Sequence, residues 1–444
     1  MRSSRTAVWY ALILLFAINT LNFFDRQILG AIGEPIRKEF DLSDASLGLL
    51  GTAFTLLYAV IGIPFGRFSD KFSRKRILAI GVFVWSLVTA ASGLARNFGQ
   101  LFAMRLGVGV GEAACAPAAT SMIGDLFPAN WRARAMSIFM LGLPIGIALS
   151  YAISGAVAKA YGWRAAFLVA GLPGIIVAIA VLFIREPARG ESESQQILSR
   201  RRPGSPYARI LRSPTMLLII LSGIFHNFNM YAISSFLTPY LMRFHGADIA
   251  KANYISTFIF GVMCSLGLLI GGYVGDKTMK KWANGRMLVS AAAVLVAAPL
   301  FYGALELRPG ELVPFALLMG AGCLLMYFYY VCVYPAIHDI VEPGLRGTAM
   351  AIYFMAFYLL GGSFGPYATG LLSDMFTRRA AAAAGVVEFT TASLEPFKAQ
   401  GLQSAMFVIP CLIVLLAVTL YAASRTIERE MTALRTWMDE AADQ

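Results

Sequence analysis

The chain has 444 residues, of which 58% are hydrophobic and only 14% charged. An ordinary soluble domain is about half apolar and a quarter charged, so the composition excludes a soluble globular protein and points to a membrane-embedded one. The formal charge of +12 does not mark a nucleic-acid binder, because the basic residues fall in alternate short loops, the positive-inside pattern of a multi-pass protein.

Apolar runs of ~20 residues, the length a helix needs to cross the hydrocarbon, recur about twelve times. They run from Ala7 to Leu29, Ala45 to Gly66, Ile77 to Ala95, Phe98 to Ile123, Ala135 to Ala158 and Ala165 to Ile184. The second set runs from Thr215 to Met242, Ala252 to Gly275, Met287 to Leu305, Leu312 to Ile337, Gly347 to Ser373 and Leu402 to Ser424. Arg2 and Arg5 before the first run suggest a secretory signal, but no small-x-small site closes it and it carries Asn19, Asn22 and Asp25, so it reads as a retained membrane helix. Arg67, Lys71, Arg74, Lys75 and Arg76 follow span two, Arg132 and Arg134 follow span four, and Lys277, Lys280, Lys281 and Arg286 follow span eight. Those loops and both termini are therefore expected to face the cytoplasm, across the cytoplasmic membrane.

Residues 186–213 break the pattern with Gly190, Pro203, Gly204 and Pro206, and read as a cytoplasmic linker between a six-helix bundle at 1–185 and another at 214–424, with a cytoplasmic tail at 425–444. A second polar stretch, Thr377 to Gln400, is expected outside, with a short helix at Ala380 to Ala384. Cys115, Cys264, Cys323, Cys332 and Cys411 show no C-x-x-C spacing and read as small packing residues. The halves repeat: the segment from Gly66 to Asp70 and Lys71 has a counterpart from Gly272 to Asp276 and Lys277, and Arg132 to Met136 matches Arg346 to Met350. The expected fold is an all-α membrane protein of twelve transmembrane helices in two pseudo-symmetric six-helix bundles, with substrate bound between them near the midplane.

The Gly66 to Arg76 segment (G-x-x-x-D-K-x-S-R-K-R), its repeat at Gly272, and Arg105-x-x-x-Gly109-x-Gly111 resemble the signature motifs of the major facilitator superfamily, over essentially the whole chain. Asn22-Phe-Phe-Asp25-Arg26, Gly109-Val-Gly-Glu112-Ala, Asp125-Leu-Phe and Arg134-Ala-Met-Ser-Ile-Phe139 resemble its spinster branch. That resemblance implies a proton-coupled carrier of lysophospholipids or sphingoid phosphates. A neighbouring branch of organic anion:cation symporters also carries N-x-x-D-R in span one and an acidic-Ala pair in span four. In the superfamily the residue matching Asp70 sits at a helix N-terminus across the bundle interface and holds the cytoplasmic side shut. Gly66, Asp70, Arg74, Lys75, Asp276 and Arg134 are therefore expected to act on the conformational equilibrium, although the basic ones equally suit positive-inside anchors.

Asp25, Arg26, Arg105 and Glu112 are the charges at membrane depth, where an ionisable group is expensive and marks function by default. By helix rise, Asp25 and Arg105 each lie roughly 9 Å to the outer side of their helix midpoints, so they can meet, either as a proton-coupling pair or as a fixed structural ion pair. Arg26, about 100° further round its helix than Asp25, offers a planar fork for a carboxylate or phosphate, with Asn22 one turn before it. The competing reading pairs Arg26 internally with Glu112 or lets it snorkel. Glu112, mid-span, is a second candidate proton carrier. Its surroundings fit G-x-G-x-x-A, but a dinucleotide site needs a preceding strand and an exposed loop, and here the glycines allow close helix packing.

The second half is aromatic: Phe225, Phe228 and Tyr231 in span seven with His226, Asn227 and Asn229, then Tyr327, Phe328, Tyr329, Tyr330 and Tyr334 in span ten. One charged wall and one aromatic wall suit an amphiphile, with His226, Asn227 and Tyr330 as candidate contacts, although such stripes also pack against lipid or helices. No nucleophile-elbow, zinc or Walker pattern appears, and His226, His245 and His338 are scattered. The expectation is a monomeric secondary transporter, not an enzyme, without metal or cofactor, moving an amphiphilic anion with protons by alternating access. A symporter of soluble carboxylates or sugar acids is the alternative, and a transporter-like ligand sensor the second.

Overall fold

The computed structural model describes residues 5–113, 115–127, 129–187, 206–342 and 345–442, the side chains of 5, 59, 62–71, 129, 130, 132, 133, 206 and 439–442 excepted. Among them every regular element is helical. The first bundle comprises α1 (Arg5–Glu39), α2 (Asp44–Lys71), α3 (Arg74–Ser92), α4 (Phe98–Ala113) in line with α5 (Cys115–Leu126), α6 (Ala129–Met140) in line with α7 (Gly142–Tyr161), and α8 (Trp163–Val181). The short α9 (Pro206–Arg212) leads into α10 (Pro214–Arg243), then α11 (Ile249–Thr257) and α12 (Cys264–Met279) joined by a π-helical turn at Phe258–Met263, and α13 (Gly285–Leu305). After these come α14 (Leu312–Met326) with α15 (Phe328–Ile340), α16 (Arg346–Ala356) and α17 (Phe364–Ala383) joined by a second π-helical turn at Phe357–Gly362, the small α18 (Thr391–Leu394), and α19 (Lys398–Met406) with α20 (Val408–Ala442). Eleven stretches among the described residues are long and apolar enough to cross a membrane, and α2, at 28 residues, is the twelfth helix of that length.

The helices start where the sequence supplies caps. Ser73 and Ser213 accept from the backbone N–H groups of Arg76 and Met216, and Pro214 occupies the first turn of α10, where its missing N–H costs nothing. Three elements run further than the apolar pattern does. The first helix continues past Leu29 to Glu39 and carries Glu34 and Arg37 beyond the apolar run. Ala380 to Ala383 are the last turn of α17 rather than a separate helix, since alanines extend a helix at the least cost. After Ser424 α20 also continues, because Ile427, Met431 and Leu434 form a buried stripe at helical spacing.

The bundles meet through α1, α2 and α7 on one side and α10, α11, α17 and both π-helical turns on the other. Glycine permits this approach: a methyl group on Gly48 would lie 2.3 Å from the Pro366 carbonyl oxygen, and one on Gly30 2.3 Å from that of Ser234. Among the described residues, ion pairs between the bundles close the face opposite the termini, where α1 and α10 end and α2 and α11 begin. There Arg243 bonds Glu34 at 2.6 Å and Asp44 at 2.8 Å, and Arg37 bonds Glu395 at 2.6 Å. The Asp374 carboxylate caps the N-terminus of α2 from the other bundle, accepting from Asp44 N at 3.0 Å and Ala45 N at 2.9 Å. Burial pushes up the carboxyl of Asp44, just ahead of the apolar run, but Arg243, Lys398 and Ser373 bring it down to about 2.

At the opposite face the ion pairs between described residues stay within a bundle. Arg74 meets Asp125 and Glu186, and Arg286 meets Asp276 at 2.7 Å and Asp339 at 3.2 Å. Partial burial raises the Glu186 carboxyl, yet the Ser73 hydroxyl and the Arg74 backbone and side chain hold it below its ordinary value.

Candidate functional site

Helix geometry sorts the membrane charges. Asn22 and Arg26 lie one turn apart on α1, so both reach one target: Asn22 Nδ2 donates to Glu112 Oε2 at 2.7 Å and Arg26 Nε donates to the same oxygen at 3.2 Å. All three are buried, Glu112 completely. Of the three fates open to Arg26 in the sequence, internal pairing with Glu112 is the one this conformation adopts, and Asn22 serves the carboxylate rather than an incoming ligand.

The Asp25–Arg105 pair is corrected. Arg105 does reach Asp25, but its Nη2 donates to the Asp25 backbone carbonyl at 3.2 Å, and no ion pair forms between the side chains. With Arg26 facing Glu112, the Asp25 carboxyl is rotated toward α3, where its Oδ2 accepts from Thr89 Oγ1 at 3.2 Å. Arg105 Nε and Nη1, Asp25 Oδ1 and Glu112 Oε1 are buried without a hydrogen-bond partner among the described residues. Two cations and two carboxylates thus share one desolvated region, with one ion pair, Arg26 to Glu112, made among the described residues. Breaking or exchanging such pairs carries energies of several kcal/mol, enough to couple them to a conformational change.

The free side of the Arg26 guanidinium lies in an aromatic cage drawn from both bundles. Its central carbon is 4.1 Å from the Tyr58 ring centre, 5.0 Å from Phe23, 5.4 Å from Phe54 and 5.9 Å from Tyr358. Cation–π attraction of about 2 kcal/mol at a desolvated site holds the guanidinium there. Phe54, Tyr58 and Tyr358 were not among the candidates in the sequence. Their only signal was the i, i+4 spacing of the first two, which a lipid-facing aromatic pair shares. From Tyr358 the aromatic wall continues through Phe357 to His226, whose ring stacks on Tyr329 at 4.1 Å and meets the edge of Tyr330 at 4.8 Å. His226 is fully buried with neither ring nitrogen hydrogen-bonded among the described residues. Tyr329 in turn joins Ser222 and Tyr353 through its hydroxyl, each at 2.9 Å. Asn227, by contrast, is occupied locally: its Nδ2 donates at 2.7 Å to the Phe357 carbonyl, which opens the π-helical turn.

The gating candidates separate. Gly66 and the side chain of Asp70 lie outside what is described. Arg74 is buried within its own bundle, Asp276 is held by Arg286, Arg134 is exposed and lies over the Trp131 ring at 4.9 Å, and Lys75 follows Arg74 in the first turn of α3. No cluster of metal-ligating side chains occurs among the described residues.

The Major Facilitator Superfamily profile matches residues 15–366. Protein spinster of Drosophila melanogaster is 28% identical over 374 residues, covering 82% of this chain and 62% of the fly protein, so the match spans less than two thirds of that relative. Spinster homolog 1 of Xenopus laevis is 30% identical over 383 residues, covering 82% of this chain and 73% of its own length. A probable L-galactonate transporter of Escherichia coli (strain K12) is 29% identical over 383 residues, covering 82% and 83%. Among solved structures, a bacterial homologue of the human lysosomal transporter spinster, in an inward-facing and unoccupied conformation, superposes with a TM-score of 0.85 at 28% identity, covering 96% of this chain and 99% of the other. Twelve long helices among the described residues in two bundles, a buried charge cluster in the first bundle whose Arg26 reaches Tyr358 of the second, and these matches have one reading: the chain belongs to the major facilitator superfamily and is a transporter of the spinster type.

Proposed function

We propose that this transporter couples protons to the movement of an amphiphilic anion, of the lysophospholipid or sphingoid-phosphate class, across the cytoplasmic membrane, with both termini in the cytoplasm. The observation that carries the reading is Arg26. It is a permanently charged fork, bound to Glu112 through Nε alone, with its other face in an aromatic cage that both bundles build. A proton arriving on Glu112 cancels the charge that holds Arg26 and leaves the guanidinium to an anionic headgroup, while the aromatic wall toward His226 accepts an apolar chain. Anion and proton then occupy the site together. The sealed face opposite the termini, with the likeness to an inward-facing relative, supports a cytoplasm-open state in which Arg243, Glu34, Asp44 and Arg37 form the outer closure.

The reading is tested by titrating purified protein with a single-chain lysophospholipid and following thermal stability, then measuring uptake in proteoliposomes under a pH gradient. Arg26→Ala should abolish stabilisation by the anion, and Glu112→Gln should stop gradient-driven accumulation while exchange continues. Stabilisation of the Arg26→Ala variant equal to that of the unmodified protein overturns the assignment. A second reading, uptake of a soluble sugar acid, is favoured by the tyrosine hydroxyls around Arg26 and by the similarity to the L-galactonate transporter. Saturable competition by galactonate, with no effect of lysophospholipid, selects it. Ligand stabilisation without counterflow would mark a sensor.

A further inference from the structure

The charge cluster contains a carboxyl that the anion site does not use. Asp25 is 1% exposed, and its Oδ2 accepts from Thr89 Oγ1 while its Oδ1 has no partner among the described residues. Trp85 stands one turn before Thr89 on the same face of α3, and its buried indole Nε1 has no hydrogen-bond partner among the described residues. Gly111 on α4 lets that helix pack closely against α3 at Trp85, since a methyl group there would lie 2.8 Å from Trp85 Cβ.

We propose that Thr89, assisted by Trp85, is the positioning residue of a proton-carrying Asp25, fixing Oδ2 as the hydrogen-bonded oxygen and leaving Oδ1 as the atom that takes the proton. The inference rests on the proton-coupled reading above and adds α3, which lines no part of the Arg26 site, to the coupling machinery. The physical argument is one of donors. A hydroxyl has a single proton to give, and spent on Oδ2 it favours the ionised carboxyl. It also restrains the rotation of the group and leaves Oδ1 without a donor among the described residues. Arg105 holds Nε and Nη1 in reserve while gripping the Asp25 main chain through Nη2. It can accept a newly formed carboxylate by turning its guanidinium, with no movement of either helix.

The charged groups facing Asp25 are Arg105 and Glu112 from α4, with Arg26 next to it on α1. The neighbouring α3, α7 and α8 place their charges, Arg74 to Arg76, Lys159 and Arg164, at helix ends, so no other charge stands at this depth on those helices. A Thr–Asp hydrogen bond that merely joins two helices would stabilise the fold without touching proton exchange, and this distinguishes the two roles.

The test reads the protonated carboxyl directly. Infrared difference spectra of the full chain in lipid, titrated from about pH 9 to about pH 4, contain the C=O band of each carboxyl that gains a proton, and the band lost in Asp25→Asn belongs to Asp25. Thr89→Val keeps the shape and removes the donor. The Asp25 band should shift in frequency and its midpoint should rise by about one pH unit. Thr89→Ser should restore both, and Trp85→Phe should give a smaller change in the same direction. If the Asp25 band titrates but ignores Thr89→Val, the proposal is overturned and the proton-coupled reading stands. If no band disappears in Asp25→Asn, Asp25 carries no proton and the proposal falls, while coupling through Glu112 stays testable by its own variant. Should Thr89→Val fail to fold, Thr89→Ser against Trp85→Phe decides: identical midpoints in both and in the unmodified protein overturn it.

Discussion

Replacing Arg243 by glutamine is expected to open the face opposite the termini. Arg243 gives Nε and Nη2 to Glu34 at 2.8 and 2.6 Å and Nη1 to Asp44 at 2.8 Å, and its side chain is only 7% exposed. Glu34 and Asp44 are sealed to 1% and 0%, so without the guanidinium two carboxylates remain buried with reduced compensation. Breaking a buried pair costs about 3–5 kcal/mol. Arg37 still holds Glu34 at 2.9 Å, which argues for the lower end. A loss of about 3 kcal/mol from the closed arrangement alone shifts the population on the order of a hundredfold. The assay is electron–electron spin distance measurement between labels at Tyr161 and Val387, exposed positions on that face in the first and second bundles, in a background without native cysteines. The distance distribution should move from one short component to a mixture dominated by a longer one. Arg164→Gln is the control: its bond to Glu39 lies within one bundle between half-exposed partners, where a surface pair is worth about 0–1 kcal/mol. An unchanged distribution in a folded Arg243→Gln protein, or the same change in both variants, would refute the reasoning.

Gly48→Ala places a methyl group 2.3 Å from the Pro366 carbonyl oxygen. It should therefore lengthen the same distance, or lower thermal stability by about 1–3 kcal/mol, whereas Gly272→Ala, with nothing within 4 Å, should do neither. Acidification to about pH 5 should leave the closure intact. The Asp44 carboxyl is depressed to about 2, so its contribution is complete above its ordinary value of 3.8 and fades only as pH falls toward 2. Opening at pH 5 in the spin-label assay would contradict the assignment of Asp44 to the closure. Arg26→Lys keeps the charge but loses the fork, and calorimetry should show anion binding weakened at least about tenfold. Binding as tight as in the unmodified protein would show that charge alone suffices.

The sequence by itself determined the twelve apolar spans, the repeat of one half in the other, and the superfamily, because each rests on patterns along the chain: run length, loop charge and motif spacing. It also picked out Asp25, Arg26, Arg105 and Glu112, since a charge inside an apolar run is conspicuous without coordinates. What it could not decide was who pairs with whom. Depth along α1 and α4 allowed Asp25 to meet Arg105, but rotation about α1 gave Glu112 to Arg26 and turned Asp25 to Thr89 on α3. Thr89 and Tyr58 look like ordinary span residues until other helices are placed against them. The closure formed by Glu34, Arg37, Asp44, Arg243 and Asp374 was equally hidden, its members lying just beyond the apolar runs, where charge is unremarkable. Those partnerships join residues more than 190 positions apart in the chain, and only the packing of one bundle on the other brings them within hydrogen-bond range.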